Sequence, residues 1–257
     1  MYIGFLDSGV GGLTVLREAL TLLPNEDYLY FADSAHAPYG TKPKETVRQY
    51  IFDAVEFMVQ QGIKALVVAC NTATIVAAND LRARYQFPII GMEPAVKPAV
   101  EQNRGNHKRV LVTATPLSLK EEKFQSLVER VDDEHVVDLL PLPELVEYAQ
   151  RFVFDDAVIL PYLQEKLAPF DLTRYGTVVL GCTHFPHYRE AFRRILPADV
   201  AVIDGSLGTV RRLSHLLMEN GLQTSRTQPG EIVFYTSGIL EDNHEKLHKY
   251  AQLLGRE

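Results

Sequence analysis

The sequence predicts an α/β fold built mainly from parallel strands. Short apolar runs alternate with longer segments of helical periodicity along almost all of the 257 residues. In the runs Ala65–Ala69 and Val178–Leu180 the apolar residues are consecutive, which is typical of strands covered on both faces. Hydrophobic residues make up 46% of the chain, which is enough for a sizeable core.

Each element of the predicted fold follows from this alternation. The apolar runs predict strands at Tyr2–Leu6, Tyr28–Ala32, Ala65–Ala69, Ile89–Gly91, Val110–Thr113, Val136–Leu140, Val178–Leu180, Val200–Ile203 and Ile232–Thr236. Amphipathic stretches predict helices at Thr46–Gln61, Ala73–Tyr85, Lys120–Val131, Tyr188–Leu196 and Thr209–Asn220, and another helix opens at Leu13.

Two breaks in the pattern predict a division into two α/β units. The stretch from Pro94 to Lys108 is rich in proline, glycine and amide residues, and Asp204–Gly208 is a second segment of this kind. We expect residues 1–97 and 207–257 to form the first unit. Residues 98–206 would form the second unit, inserted within the first.

The bulk composition excludes several classes of protein. A formal charge of −7 without any basic run argues against direct nucleic-acid binding. No apolar run approaches the roughly 20 residues that cross a bilayer, and the first residues have none of the features of a signal peptide. We therefore expect a cytoplasmic protein with neither nucleic acid nor membrane as a partner.

The two cysteines are the strongest chemical signal in the sequence. They are too few for a disulfide scaffold, and the absence of C-x-x-C disfavours structural zinc and thiol-redox chemistry. Cys70 and Cys182 each follow a buried strand, at the edge where parallel sheets bind ligands. A helix start after each cysteine would favour a thiolate. Two buried structural cysteines are the alternative, which the repeated arrangement disfavours.

A pair of thiols suits inversion of a stereocentre. Inversion removes a proton from one face of a carbon atom and supplies another proton to the opposite face. A single base tends to return the proton to the face from which it came. One thiolate and one thiol on opposite faces avoid this outcome, and the direction of reaction decides which of them is the base.

Other polar residues are predicted to join the cysteines. Asp7 ends the first strand, where its carboxylate could polarise a thiol or hold an ammonium group, and the glycines at 9, 11 and 12 would let the backbone approach a small ligand. His184 could serve as the proton partner of Cys182. Cys182, His184 and His187 would also suit a metal, but no further ligand completes a site.

Four blocks of sequence together resemble the glutamate racemases of the aspartate/glutamate racemase superfamily. The blocks are Gly4–Gly12, Ala32–Gly40, Ala69–Thr74 and Leu180–Pro186. They occur in the order and spacing of that family, and the likeness extends over essentially the whole chain.

The resemblance implies two pseudo-symmetric α/β domains with the active site in the cleft between them. It implies interconversion of L- and D-glutamate without pyridoxal phosphate, metal or any other cofactor, as a supply of D-glutamate for peptidoglycan. By residue matching, Cys70 would deprotonate D-glutamate with help from Asp7, and Cys182 would deprotonate L-glutamate with help from His184. Glu147 matches a position that supports the histidine. The residues matched to substrate binding are Asp7, Ser8, Tyr39, Gly40, Asn71, Thr72, Ser118, Thr183 and His184.

The sequence departs from the family pattern in one segment. The family usually has two threonines after its fifth strand, whereas this segment reads Thr113-Ala114-Thr115-Pro116-Leu117-Ser118, in which Ser118 keeps a hydroxyl after a Pro-Leu pair. The chain begins at its first strand, and we therefore expect no dependence on a cell-wall precursor as activator.

Two alternatives to a glutamate racemase are considered. They are a racemase acting on aspartate or a related substrate, and a racemase-like protein with a regulatory binding role. A homodimer is the assembly that we expect.

Overall fold

The computed structural model describes residues 1–255 and consists of two sheets flanked by helices. The strands are β1 (Tyr2–Asp7), β2 (Tyr28–Ala32), β3 (Ile63–Val68), β4 (Ile89–Gly91), β5 (Arg109–Ala114), β6 (Val137–Pro141), β7 (Tyr175–Leu180), β8 (Ala201–Ile203), β9 (Ile232–Thr236) and β10 (Ile239–Leu240). The helices are α1 (Leu13–Leu22), α2 (Lys44–Gln60), α3 (Asn71–Arg84), α4 (Val96–Asn103), α5 (Pro116–Lys120), α6 (Glu122–Val131), α7 (Pro143–Gln150), α8 (Asp156–Leu167), α9 (Arg189–Ile195), α10 (Ser206–Glu219) and α11 (His244–Leu254).

The first sheet has six strands in the order β10-β9-β2-β1-β3-β4, and the second has four in the order β6-β5-β7-β8. All strand pairs are parallel except β9 with β10. In the first sheet Phe5 of β1 lies opposite Tyr30 of β2 and Val67 of β3, so β1 is central. The prediction of an α/β fold with mainly parallel sheets is confirmed.

The apolar interior connects the two sheets. One cluster of buried side chains contains Phe5 and Tyr28 of the first sheet together with Leu111 and Val178 of the second. Two smaller clusters cover the outer faces, one beneath α2 and α3 and the other beneath α4 and α6. The consecutive apolar residues of β3 and β7 follow from this arrangement, because both faces of these strands are covered.

The predicted elements agree with the structure in most places. Every predicted strand is present, with its ends displaced by a few residues at most, and the short edge strand β10 was not predicted. The stretch from Pro94 to Lys108, where the sequence predicts a boundary, contains the helix α4. Pro98 is compatible with that helix because it lies in the first turn, where backbone N–H groups have no intrahelical partner.

The division of the chain into residues 1–97 with 207–257 and residues 98–206 stays a prediction. Both crossing points fall inside helices, α4 and α10, of which α4 packs against β5 and β7 and α10 packs against α1 and β4. Within residues 1–255 we find no helix that is both long enough and apolar enough to cross a bilayer.

Candidate active site

Both cysteines lie two residues beyond the carboxyl end of a strand, as the sequence predicts. Cys70 follows β3 and caps α3, and the backbone N–H of Ala73 donates to its Sγ at 3.5 Å. Cys182 follows β7, but no α-helix begins directly after it. A 3₁₀ turn at Phe185–Tyr188 comes first, and α9 begins only at Arg189. The expected helix start therefore exists for only one of the two thiols.

The Asp7 side chain joins the ends of the two sheets. This carboxylate is fully buried and accepts a hydrogen bond from the backbone N–H of Gly9 at 2.8 Å. It also accepts one from the Thr183 hydroxyl at 3.0 Å, from the residue that follows Cys182. The hydroxyl of Thr14 donates to the carbonyl of Thr183 at 3.1 Å and strengthens the same junction. The carboxyl ends of β1 and β7 consequently meet.

Each sulfur has a polar neighbour of its own. The Sγ of Cys70 lies 4.0 Å from the hydroxyl of Ser8, and the Sγ of Cys182 lies 3.7 Å from Nδ1 of His184. The cysteines are 5% and 6% exposed, so bulk water hardly reaches either residue. The resemblance implies a cleft between two domains, and in this structure the region around the two thiols is closed to solvent.

Burial and negative charge hold both thiols in their neutral form. Desolvation, followed by the charge of Asp7, raises the pKa of Cys70 to about 12. Desolvation likewise raises the pKa of Cys182 well above its usual range, and a charge on Cys70 would raise it further. The backbone N–H donors beside each thiol lower its pKa, in the direction expected of a helix start, but burial outweighs them.

A cluster of three hydroxyl groups lies beside Cys70. The hydroxyl of Thr72 is 3.0 Å from that of Thr115 and 3.1 Å from that of Ser118, and the last two are 2.9 Å apart. Ser118 thus reaches the predicted site despite the Pro-Leu pair before it. Thr115 was missing from the predicted site, although a hydroxyl at a helix N-cap was the signal that could have identified it.

The loop after β2 is held by the buried carboxylate of Asp33. Asp33 accepts hydrogen bonds from the hydroxyl of Tyr39 at 2.6 Å, from Ser237 at 3.1 Å and, at 2.9 Å, pairs with Nδ1 of His36. Tyr39 is buried close enough to Cys70 for a thiolate there to raise the pKa of its phenol. Gly40 packs directly against the side chain of Thr115.

Asn71 presents a polar atom that has no partner among the described residues. Its Nδ2 donates to the carbonyl of Met92 at 3.1 Å, whereas its Oδ1 is buried without a hydrogen bond. A buried acceptor of this kind is costly unless something donates to it. Asn71 directly follows Cys70, so the free acceptor lies in the predicted site.

His184 is buried and neutral. The side chain nearest to its ring is Gln150, and the predicted partner Cys182 lies farther away. Desolvation lowers the pKa of its imidazole to about 3. Its Nε2 lies 2.7 Å from Nε2 of Gln150, the last residue of α7. Glu147 lies one turn earlier on that helix, is exposed and has no described hydrogen bond to His184. Its role stays a prediction, and no sequence signal distinguished Gln150 from its neighbours.

The glycine turn after β1 is shaped by the second sheet. A Cβ atom at Gly9 would lie 1.6 Å from Nε2 of Gln150, and one at Gly11 would lie 2.4 Å from Nδ1 of His184. The sequence predicted that these glycines let the backbone approach a small ligand. In the structure the space left by the missing Cβ atoms is occupied by the side chains of Gln150 and His184.

A cavity of about 490 Å³ lies outside Gln150. It is lined by Val10, Ser34, Ala37, Pro38, Glu147, Gln150, Arg151, Phe152 and Lys246. Gln150 separates this cavity from His184, and the cysteines are not among the lining residues. In the part of the chain that the structure describes, no three His, Cys, Asp or Glu side chains form a cluster suited to a metal ion.

The geometry suits proton transfer at a small anion. Two buried thiols, each with a different polar neighbour, lie near a buried carboxylate, an amide acceptor and a group of hydroxyls. Among the predicted site residues, those at positions 7, 8, 39, 40, 70, 71, 72, 118, 182, 183 and 184 come together, and Glu147 does not.

Comparison with known proteins identifies the family of the chain. The model of the Asp/Glu/Hydantoin racemase family matches residues 12–213. The chain is 59% identical over 254 residues to the glutamate racemase of Halothermothrix orenii, covering 99% of each chain. It is 50% identical over 253 residues to glutamate racemase 2 of Bacillus subtilis, covering 98% of this chain and 95% of the relative. The crystal structure of Francisella tularensis glutamate racemase in complex with D-glutamate superimposes with a TM-score of 0.83 at 29% identity, covering 100% of this chain and 94% of that one.

The raised thiol pKa values lead to a prediction about the protein without substrate. We expect the far-ultraviolet absorbance of thiolate to be absent from about pH 6 to about pH 9, where an unperturbed cysteine titrates. The measurement is the absorbance difference between the native chain and the variants Cys70→Ser and Cys182→Ser. A thiolate signal that developed near pH 8 would show that burial does not dominate.

The neutral His184 predicts a dependence of stability on pH. Between about pH 6.5 and pH 3 the unfolded chain binds a proton at this residue and the folded chain does not, so the free energy of unfolding falls as the pH falls. The slope from one such group is at most about 1.4 kcal/mol per pH unit. Urea unfolding of the native chain and of His184→Asn should show a shallower slope in the variant. Equal slopes would contradict a buried neutral imidazole.

Proposed function

Because the chain belongs to the Asp/Glu/Hydantoin racemase family, we propose that it interconverts L- and D-glutamate by proton transfer between Cα and two cysteines, Cys70 and Cys182. The observation that carries the proposal is the pair of buried thiols at the ends of two different sheets, joined by the Thr183–Asp7 hydrogen bond. The glutamate racemases to which the chain is similar over nearly its whole length support glutamate as the substrate.

Each direction of the reaction uses one cysteine as base and the other as acid. With D-glutamate the Cys70 thiolate takes the Cα proton, and the Cys182 thiol supplies a proton to the opposite face of the resulting carbanion. With L-glutamate the roles are reversed. One proton is removed and one is added in each turnover, so the pair ends with the opposite member protonated.

Charge explains how a buried thiol becomes a base in this mechanism. The carboxylate of Asp7 and burial favour neutral thiols. The α-ammonium group of glutamate would bring a positive charge into the same low-dielectric region, which favours a thiolate and offsets Asp7. The free Oδ1 of Asn71 and the carboxylate of Asp7 are acceptors for that ammonium group.

Donors for the two carboxylates of glutamate come from several elements. We assign substrate contacts to Ser8, Tyr39, Gly40, Thr72, Ser118 and Thr183, and add Thr115 because its hydroxyl lies within 3.0 Å of both Thr72 and Ser118. Tyr39 and Thr183 would donate through their backbone N–H groups, because their hydroxyls donate to Asp33 and Asp7. Donors directed at the α-carboxylate stabilise the negative charge that develops when Cα loses its proton. We assign His184 to support Cys182. We also assign Glu147, which lines the cavity, to support His184.

Further parts of the proposal rest on the family resemblance. The D-glutamate produced would supply peptidoglycan synthesis in the cytoplasm, and the enzyme would need no cofactor. A homodimer is the proposed assembly.

Substitution of either cysteine tests the mechanism. We expect Cys70→Ser and Cys182→Ser each to lower kcat/KM at the severe end of the roughly 10²- to 10⁴-fold range for a lost general acid or base. The losses should be equal in the two directions, because L- and D-glutamate have the same free energy. Circular dichroism assays with glutamate, and with aspartate in parallel, measure the rates and identify the substrate.

Thermal unfolding of both serine variants provides the control, since serine is close to cysteine in size and should leave the fold intact. Native turnover in either variant would contradict the two-thiol mechanism. Faster turnover of aspartate than of glutamate would contradict the proposed substrate.

Isotope incorporation tests the opposite-face transfer independently. In heavy water the newly formed enantiomer should carry solvent deuterium at Cα from the earliest time points, while the remaining substrate carries little. Mass spectrometry of the separated enantiomers measures this. Product that retained its original hydrogen would indicate a single base that returns the same proton.

A further inference from the structure

Gln150 is connected to Cys182 through the imidazole of His184. The amide Nε2 of Gln150 lies 2.7 Å from Nε2 of the ring, and Nδ1 on the other side of the ring lies 3.7 Å from the Sγ of Cys182. No other described side-chain hydrogen bond involves this imidazole. The three residues therefore form a line from the cavity to the sulfur.

The amide of Gln150 influences which ring nitrogen of His184 carries the proton. An amide NH₂ group donates hydrogen bonds and has no lone pair to accept one. With the amide in this orientation, Nε2 of His184 presents its lone pair to Gln150. A neutral imidazole carries a single N–H, which is left for Nδ1 and faces the sulfur.

The surrounding structure holds both side chains in place. The absence of a Cβ atom at Gly9 and Gly11 allows Gln150 and His184 to lie against the turn after β1. The imidazole is 1% exposed, and desolvation keeps it neutral because it lowers the pKa to about 3. A change of tautomer would place an N–H opposite the NH₂ group of Gln150, and the hydrogen bond would form again only if the amide turned its Oε1 toward the ring.

We propose that Gln150 is a positioning residue that holds His184 in the Nδ1–H tautomer, so that His184 donates a hydrogen bond to the thiolate of Cys182. This inference rests on the proposed racemisation and specifies how Cys182 is supported in it. The ring keeps its proton in both directions of the reaction. The Cys182 proton passes to Cα when D-glutamate reacts and returns from Cα when L-glutamate reacts, and it never passes to His184.

Nitrogen NMR of histidine-labelled protein tests the tautomer without any need for turnover. We expect His184 to show a protonated Nδ1 and an unprotonated Nε2 from about pH 6 to about pH 9, a range that includes the ordinary titration of histidine. The difference from the spectrum of His184→Asn identifies its signals among the eight histidines. A protonated Nε2 in the native protein would overturn the inference and leave the two-cysteine proposal intact.

Two variants of Gln150 extend the test. Gln150→Glu has nearly the same shape but only accepts, so it should move the ring proton to Nε2 and turn the Nδ1 lone pair toward Cys182. Gln150→Leu removes the polar group and should leave a mixture of tautomers. An unchanged Nδ1–H signal in Gln150→Glu would overturn the inference.

Kinetics distinguish positioning from a merely structural role. Gln150→Leu should lower kcat/KM roughly tenfold, about the effect of one lost hydrogen bond, and equally in both directions. The primary isotope effect should rise with α-deuterated L-glutamate, whose proton goes to Cys182, and rise less with α-deuterated D-glutamate. Equal rises for both enantiomers would indicate a general loss of structure and overturn the inference.

Arg151→Gln is the matched control. Arg151 is the next residue after α7, lines the same cavity and has no described side-chain contact with His184. We expect this variant to retain both the Nδ1–H signal and the native isotope effects. A loss of either in Arg151→Gln would show that any change at the end of α7 disturbs the ring, and would contradict a specific role for Gln150.

Discussion

The hydrogen bond from the hydroxyl of Thr183 to the carboxylate of Asp7 joins two segments that lie 176 residues apart in the chain. One segment follows the central strand of the first sheet, and the other follows a strand of the second sheet and includes Cys182. Because the carboxylate is fully buried, it requires donors, and a donor supplied by the other sheet fixes the two strand ends relative to each other. In the proposed mechanism the positions of both sulfurs relative to one substrate carbon depend on this junction.

The junction also creates the main electrostatic problem of the site. A buried carboxylate close to two buried thiols opposes ionisation of either thiol, and the backbone N–H groups around Cys70 do not offset it. In the proposed mechanism the substrate contributes the missing positive charge. Binding and activation are then coupled, because the base reaches its reactive form mainly when an ammonium group is present.

The sequence was sufficient to predict the strands and the position of both cysteines just beyond strand ends, because these features depend on local patterns. The consecutive apolar residues of β3 and β7 require cover on both faces, and the polar residues that follow mark the strand ends. The role of Gln150 was not predictable, since its contact with His184 spans 34 residues and is not reflected in any periodic pattern. The state of the thiols was also missed, because a helix start is visible in a sequence and the depth of burial is not.

The slight exposure of the two cysteines has a consequence for the enzyme at rest. Attack on oxidants and electrophiles requires a thiolate that those reagents can reach, and here burial both covers each sulfur and raises its pKa. The apolar cluster shared by the two sheets opposes wide separation of the strand ends that hold them. Bulky disulfides such as oxidised glutathione would therefore be excluded by size, and the idle enzyme would be protected from inactivation until an amino acid enters.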